Sequence, residues 1–205
     1  MKWLLRSLGS VHGELVHTRR SRVLASYFAK LIPQDHTVLD VGCGDGLIDA
    51  LISKERPDLQ ISGVDVLVRP GAHIPVTPFD GRRIPFPDKS HDTILLCGVL
   101  HHAEHPVRLL QEAARVARRC LVIKDHTVDG FLARPTLRFM DFIGNAPQGV
   151  SLPYNYLTKS QWAAAFHECG LLPRTVESRL NLYPPLADSI FGRSLHFVGR
   201  YEVAG

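Results

Sequence analysis

The sequence lacks paired cysteines, long apolar runs and a strong excess of one charge. Its cysteines lie far apart without a Cys-x-x-Cys pair, at Cys43, Cys97, Cys120 and Cys169. This spacing argues against a zinc knuckle or a disulfide framework and fits a reducing compartment. Near the amino terminus, Arg6 interrupts the apolar residues well before the length that a signal peptide or a membrane helix needs. We therefore expect a cytoplasmic protein without a membrane span.

The charge balance is nearly even, with 24 lysines and arginines against 20 aspartates and glutamates. The arginine-rich spots at residues 19–22, 82–83 and 118–119 are scattered along the chain, which favours solvated faces over a nucleic-acid footprint. Apolar residues make up 45% and charged residues 21%, as in ordinary globular proteins. A chain of 205 residues can bury one hydrophobic core, and we expect a single domain over residues 1–205.

Strand-like and helix-like segments alternate along the chain. Apolar residues at helical spacing predict an N-terminal helix over about residues 15–32, which Pro33 closes. The predicted segments that follow are strand 37–41, helix 47–54, strands 61–66 and 91–96, helix 107–117, strand 120–125, helix 159–169 and strand 172–178. Such alternation indicates a doubly wound α/β fold, with a mostly parallel sheet and helices on both of its faces.

Three stretches depart from this alternation. Residues 69–87 carry five prolines and predict an irregular segment with at most one short strand. Residues 130–157 predict a helix over 132–143 followed by a loop, and we expect this insertion to act as a lid over a strand end. A last apolar strand over residues 194–203 is expected to seal one edge of the sheet.

The clearest chemical signal is a glycine-rich turn after the first strand. The segment reads Val38-Leu39-Asp40-Val41-Gly42-Cys43-Gly44-Asp45-Gly46, with glycines at alternate positions and a helix behind them. Such a turn lets a ligand approach bare backbone at the carboxyl end of a strand, where open parallel sheets bind their ligands. The turn therefore predicts a ligand site at this edge.

The residues around the turn favour one kind of ligand. A dinucleotide fingerprint needs glycine or alanine where Leu47 stands, and Asp40 and Asp45 would repel a pyrophosphate. A Walker-type phosphate loop is excluded, because no Gly-Lys-Ser/Thr sequence follows. The two carboxylates suit a ligand with a cationic end, such as the amino group of a methionine moiety beside a sulfonium. Asp65, roughly 20 residues further on, has the position of an acid that accepts both ribose hydroxyls.

Several segments together resemble the class I S-adenosylmethionine-dependent methyltransferases, especially the small-molecule branch of quinone-biosynthesis and type 11 enzymes. The resemblance covers about residues 37–124. Besides the glycine turn, it rests on Gly63-Val64-Asp65-Val66, Phe79-Asp80-Gly81, Ile84-Pro85-Phe86-Pro87-Asp88, His91-Asp92-Thr93-Ile94 and Val99-Leu100-His101-His102. It implies a Rossmann-like sheet with an antiparallel C-terminal strand, S-adenosyl-L-methionine as cofactor and S-adenosyl-L-homocysteine as product.

The resemblance also implies cofactor contacts. In the family, the glycine block holds the methionine end, the acid matching Asp65 holds the ribose, and the residue matching Asp80 meets the adenine amino group. Cys97 and Gly98 would line the methionine side at the end of the fourth strand. The residues assigned to the cofactor in this way are Asp40, Gly42, Cys43, Gly44, Asp65, Val66, Asp80, Gly81, Cys97 and Gly98.

A second set of polar residues follows the fourth and fifth predicted strands. Methyl transfer from a sulfonium is an in-line displacement, so aligning the acceptor supplies most of the acceleration and a general base is optional. Lys124-Asp125-His126 ends the fifth strand, and we interpret Asp125 and His126 as acceptor-side catalytic candidates. His101 and His102 lie near the expected pocket, with His102 a third candidate. We expect no metal ion, because one His-Asp pair lacks the further ligands that a metal site needs.

The acceptor side favours a small molecule. The fourth strand continues as Leu95-Leu96-Cys97-Gly98, without the Asn-Pro-Pro-Tyr or Pro-Cys sequences that base-methylating enzymes would show. We therefore expect O- or C-methylation of a small molecule rather than N-methylation of a base. Two alternatives stay open: a non-catalytic, cofactor-bound regulatory partner, and RNA methylation aided by the arginines.

Overall fold

The computed structural model describes residues 18–145 and 152–204. Residues 15–17 of the predicted N-terminal helix and residues 146–151 of the predicted lid lie outside the described residues. In chain order the elements are helix α1 (18–31), β1 (Thr37–Val41), α2 (Leu47–Glu55), β2 (Gln60–Asp65), β3 (Val76–Pro78), β4 (His91–Cys97), a 3-10 helix (Leu100–His102), α3 (Pro106–Val116), β5 (Ala117–His126), α4 (Ala133–Asn145), α5 (Lys159–Glu168), β6 (Leu171–Glu177), α6 (Pro185–Phe191) and β7 (His196–Val203).

The strands form one seven-stranded sheet in the order β3-β2-β1-β4-β5-β7-β6. The pairs among β1 to β5 are parallel, and β7 runs antiparallel to both of its neighbours, β5 and β6. The predicted Rossmann-like α/β fold with an antiparallel C-terminal strand is thereby confirmed. The strand order reverses between β1 and β4, and the crevice at such a point is where open α/β sheets bind ligands.

The prediction that the last strand seals the sheet edge is wrong. β7 lies between β5 and β6, so β3 and β6 are the edge strands. Residues His196 to Gly199 of β7 are buried, as expected for an inner strand, whereas all residues of β6 after Leu171 are exposed. An apolar terminal segment therefore marks an inner strand here, because it is covered on both faces.

Helices cover both faces of the sheet. On one face, α1 and α2 pack Phe28 and Ile52 against the strands, and α6 lies on the same side. On the other face, α3 and α5 contribute Leu110 and Trp162 to a second apolar cluster. Among the described residues, no helix combines the length and the apolar character that a membrane crossing requires.

Two elements depart from the predicted boundaries. β5 begins at Ala117 directly after α3, so the turn predicted between helix and strand is absent. α6 was not predicted, because Pro184 and Pro185 indicate a loop by composition. A proline at the first helical position is nevertheless compatible with a helix, since its missing N–H has no intrahelical partner there.

Candidate active site

The glycine turn after β1 is tied to β2 by hydrogen bonds. The backbone N–H groups of Gly42 and Cys43 donate to the carbonyl oxygen of Val64 at 2.8 and 3.3 Å. The N–H of Gly44 donates to Asp65 Oδ2 at 2.8 Å. Gly42 and Gly44 have φ angles of 77° and 62°, in the left-handed region where side chains are strained. The shape of the turn therefore depends on the strand that carries Asp65.

The two glycines have different surroundings. A Cβ atom on Gly42 would collide with the side chain of Val99. At Gly44, no heavy atom of the described residues lies within 4 Å of the corresponding position. Gly44 therefore presents bare backbone to open space at the carboxyl edge of the sheet, which is the surface that a bound ligand needs.

Two buried carboxyl groups lie beside this turn. Asp40 and Asp49 are 2% and 0% exposed, and Asp40 Oδ1 and both oxygens of Asp49 have no hydrogen-bond partner among the described residues. Burial raises the pKa of Asp40 well above its usual range, and the charge of Asp49 raises it further. Burial also raises the pKa of Asp49, to about 7. These acids are held in a costly environment that a cationic ligand would relieve.

Asp45, the second acid predicted at the turn, has a different place. It is exposed, and its Oδ1 accepts a hydrogen bond from the N–H of Leu47 at 3.1 Å at the start of α2. The second buried acid is Asp49, in the first turn of α2. From sequence, an acid at this position indicates a favourable interaction with the helix dipole, and that reading hid Asp49 from prediction.

Two basic side chains lie on the other side of Cys97. Lys124 is 1% exposed, and burial together with the charge of Arg20 lowers its pKa to about 8. The Nε atom of Arg20 is buried without a hydrogen-bond partner among the described residues. Burial raises the pKa of the Cys97 thiol to about 12; Lys124 and Arg20 lower it, while Asp40 and Asp49 raise it. Acids and bases thus both act on the end of β4.

The residues assigned to ribose and adenine lie along the ends of β2 and β3. Asp65 Oδ2 and Oδ1 accept the N–H groups of Gly44 and Leu67, each at 2.8 Å. Val66 is 63% exposed, and a Cβ atom on Gly81 would lie 3.1 Å from its Cγ1, so these two predicted residues are neighbours.

Asp80 is exposed and lies one residue before Gly81. Its Oδ1 accepts hydrogen bonds from the backbone N–H groups of Arg83 and Arg82, each at 2.8 Å, and these bonds lower its pKa. A carboxylate that is held in this way stays ionised at neutral pH and keeps its second oxygen available as an acceptor.

A cluster of histidines and acids lies at the ends of β4 and β5. We call it the histidine cluster, and its members are His101, His102, Asp125, His126 and Asp141. His101 Nδ1 is 2.6 Å from Asp125 Oδ1, and His101 Nε2 is 3.4 Å from Asp141 Oδ2. The N–H of His126 donates to Asp125 Oδ1 at 2.7 Å. The hydroxyl of Tyr156 donates to Asp141 Oδ2, and joins the lid to the cluster.

The electrostatics of the histidine cluster separate its two innermost rings. Burial alone would lower the pKa of His101, but Asp125 and Asp141 outweigh it and raise this pKa to about 9. Burial would raise the pKa of Asp125, yet His101 holds it well below its usual range. Burial, followed by the charges of Lys124 and His101, lowers the pKa of His126 to about 3. With no other cation present, His101 is the charged ring and His126 the neutral one.

The three catalytic candidates from sequence, Asp125, His126 and His102, all lie in this cluster. Prediction missed Asp141, which reaches His101 from α4 across about 40 residues of sequence. Its signal was weak, since it is one acid in the middle of an apolar helix. The expectation of no metal rested on one His-Asp pair, whereas the structure brings together two groups of three ligand residues each.

A cavity of about 710 Å³ lies elsewhere, between α5 and strands β6 and β7. Its lining is mostly apolar and includes Trp162, Phe166 and Val176, but no residue of the glycine turn. The cavity and the predicted cofactor residues are therefore separate features. Its wall meets the histidine cluster through His196, whose ring centroid lies 4.8 Å from that of His126.

The buried acids predict a pH-dependent stability. The pKa of Asp49 rises from 3.8 in the unfolded chain to about 7 in the fold, so the folded state binds its proton more tightly and loses stability as pH rises through this window. Asp49→Asn cannot ionise. We expect it to stabilise the ligand-free protein at pH 8 by roughly 2 kcal/mol, or about 4–8 °C in Tm, with little gain near pH 4. Thermal unfolding against pH measures this.

Asp45→Asn is the matched control, because Asp45 is exposed in the same turn. Its Tm should follow that of the wild-type protein at both pH values. An Asp49→Asn variant with equal gains at pH 4 and pH 8 would show that the carboxyl group does not titrate in this range.

Comparisons with known proteins agree with this geometry. Residues 15–175 match a family model described as a methyltransferase domain. A search of curated proteins gives no match. At identities below 25%, the solved structures that resemble the chain show its fold alone.

Three solved structures illustrate the likeness. A Thermotoga maritima S-adenosylmethionine-dependent methyltransferase, described as a possible histamine N-methyltransferase, is 17% identical over 100% of both chains, with a TM-score of 0.66. A geranyl diphosphate methyltransferase solved with GPP and sinefungin is 12% identical over 88% of this chain and 77% of that chain, with a TM-score of 0.64. The cyclase SpnF is 16% identical over 89% and 80%, with a TM-score of 0.65.

Proposed function

Because residues 15–175 match its model, the chain belongs to the class I S-adenosylmethionine-dependent methyltransferase family, and we propose that it methylates an oxygen or carbon atom of a small molecule. S-adenosyl-L-methionine is the proposed methyl donor and S-adenosyl-L-homocysteine the product. The observation that carries the proposal is the pair of buried acids and the pair of basic side chains on either side of Cys97.

These opposed charges suit the amino-acid end of the cofactor, which carries an ammonium and a carboxylate group. Asp40 and Asp49 offer carboxyl oxygens without partners to the ammonium group. Arg20 and Lys124 offer donors to the carboxylate. Buried polar groups without partners cost folding free energy unless a ligand completes them. A pyrophosphate would leave the two acids uncompensated, so a zwitterion fits this edge better.

The nucleoside half has a matching surface. Gly44 faces open space, and Asp65 keeps lone pairs beyond its two backbone hydrogen bonds for a ribose diol. Val66, Asp80 and Gly81 follow at the ends of β2 and β3. We assign the ribose to Asp65 and the adenine amino group to Asp80, in line with the family resemblance.

On the acceptor side, the histidine cluster would position the reacting group. The bound cofactor supplies an electrophilic methyl group on a sulfonium. Asp125, His126 and His102 are placed to hold a polar group of the acceptor, and to receive its proton where an oxygen is methylated. The α4 residue Asp141 and the loop residue Tyr156 reach over this cluster, so we assign residues 130–157 as a lid that excludes water.

A small acceptor is supported by the burial of this cluster. His101 and Asp125 are 2% and 1% exposed, so the base of a folded RNA or a side chain on a protein surface could reach them only after a large opening. The geranyl diphosphate enzyme named above acts on a small molecule. SpnF, described as a cyclase, shows that this fold also serves other chemistry, so transfer itself needs a test.

Calorimetric titration tests cofactor binding. Wild-type protein should bind S-adenosylmethionine and not NAD. Gly44→Ala and Gly170→Ala form a matched pair, because both glycines have similar φ angles, 62° and 64°. Since a methyl group at Gly44 enters the proposed cofactor space, we expect affinity to fall at least about 10-fold, which is 1.4 kcal/mol or more. Gly170 contacts Ala204, away from this edge, and Gly170→Ala should bind normally.

Transfer of a tritiated methyl group to cell extract then separates the functions. Label in the small-molecule fraction is the expected result. Label in the RNA fraction, with binding that weakens strongly with salt, would support RNA methylation instead. Tight cofactor binding without any labelled product would favour the regulatory-partner alternative.

A further inference from the structure

His101 has a ring nitrogen that the fold leaves without a hydrogen bond. Its Nδ1 atom lies 2.6 Å from Asp125 Oδ1, so Asp125 accepts the proton on that nitrogen. Its Nε2 atom is buried and has no hydrogen-bond partner among the described residues. In this tautomer a neutral imidazole presents a lone pair at Nε2. The ring is therefore oriented as metal-binding histidines are, with a carboxylate on its far side.

The acid opposite this lone pair lies at the separation of two ligands that share an ion. Asp141 Oδ2 is 3.4 Å from His101 Nε2, whereas a charge-assisted N–H···O bond measures about 2.7–2.9 Å. Two atoms that each bind an ion at roughly 2.1 Å in tetrahedral geometry are about 3.4 Å apart. The Tyr156 hydroxyl donates to the same carboxylate oxygen and fixes its position.

His102 completes the set. One ligand atom from each of His101, His102 and Asp141 lies within 4.8 Å of the other two, and the two imidazole centroids are 4.1 Å apart. His102 is half-buried while the other two residues are buried, so the set is open on the His102 side. We propose that His101, His102 and Asp141 bind one divalent first-row transition-metal ion, with coordination positions left for an oxygen atom of the acceptor.

The role of this ion rests on the proposed function, whereas the site itself does not. A Lewis acid at this point lowers the pKa of a coordinated acceptor hydroxyl, whose proton then passes to water. The resulting oxyanion forms the O–C bond to the methyl group, and the electron pair of the broken S–C bond returns to sulfur. A hydroxyl or enol oxygen therefore becomes the proposed acceptor atom.

Titration of protein freed of metal with a chelator tests the site, using Zn²⁺ followed by calorimetry and Co²⁺ followed by visible absorption. We expect one equivalent to bind, with Co²⁺ bands typical of nitrogen and oxygen ligands. His102→Ala and Asp141→Asn should each weaken binding about 100-fold, because each removes one of three protein ligands. His105→Ala is the control: it removes an exposed histidine of the same connection and should bind as the wild type does.

Three results would overturn the site: no saturable one-equivalent binding to the wild type, unchanged binding in both ligand variants, or an equal loss in His105→Ala. The gap between His101 and Asp141 would then hold a proton. Circular dichroism of each variant separates lost binding from lost folding, and the wild-type titration stands without any variant. S-adenosylmethionine titration in chelator measures the cofactor site independently, so failure of the metal site leaves a distinct signature from failure of the proposed function.

Discussion

Replacing Asp65 by alanine is expected to lower the affinity for S-adenosylmethionine roughly 100-fold or more, because it removes two kinds of interaction at once. Its carboxylate accepts the N–H groups of Gly44 and Leu67, so it holds the glycine turn in shape. It is also the acid assigned to the ribose diol. Two charge-assisted hydrogen bonds contribute about 1.5–3 kcal/mol each, which together give the expected loss.

The measurement is calorimetric titration of wild type, Asp65→Ala and Asp65→Asn. Asparagine can accept a backbone hydrogen bond but carries no charge, so Asp65→Asn should fall between the other two. Asp45→Ala is the matched control, because Asp45 is an exposed acid of the same turn that accepts only the Leu47 N–H. Its affinity should stay within a few fold of the wild type. Equal affinities for Asp65→Ala and Asp45→Ala would remove Asp65 from the cofactor site.

The cofactor side of this site was open to prediction because its signals are local in sequence. Gly42 and Gly44 need their φ angles for a turn that is only a few residues long, and Asp65 ends a strand recognisable from its own composition. Each strand brings its terminal residue to the same edge once the sheet is parallel. Turn, acid and edge thus follow from pattern alone.

The acceptor side was less predictable, because it depends on contacts between distant segments. Asp141 and Tyr156 meet His101 only after the lid folds over β4 and β5. No spacing rule connects an acid within an amphipathic helix to a histidine about 40 residues earlier. Asp49 shows the same limit at short range, since an acid in a first helical turn has an ordinary explanation at the surface.

The place of β7 was predicted wrongly for a related reason. Strand composition reports how much of a strand is buried, but it does not report which neighbours bury it. β7 pairs with β5 over Cys120 to His126 and with β6 on its other side, so its burial comes from an inner position. That pairing places His196 beside His126, at the end of the strand that carries Asp125.

Replacing His101 by alanine in chelator-treated protein is expected to destabilise the fold by about 3–5 kcal/mol, the largest stability effect that we predict. His101 and Asp125 are 2% and 1% exposed and lie 2.6 Å apart, so the variant leaves a buried carboxylate without its cation. Chemical denaturation measures the loss. His105→Ala, an exposed histidine in the same connection, should change stability by no more than about 0.5 kcal/mol.

A double-mutant cycle separates lost pairing from a lost side chain. If the cost of His101→Ala comes from the stranded charge, then adding Asp125→Ala removes that charge and restores part of the stability. The double variant should then be more stable than the sum of the two single losses by about 1–3 kcal/mol. Strict additivity would instead mean that the two rings and acids contribute by packing alone. In that case the short contact between His101 and Asp125 would not be an ion pair, and the reason for keeping Nε2 of His101 unprotonated towards Asp141 would have to lie in the ligand that it binds.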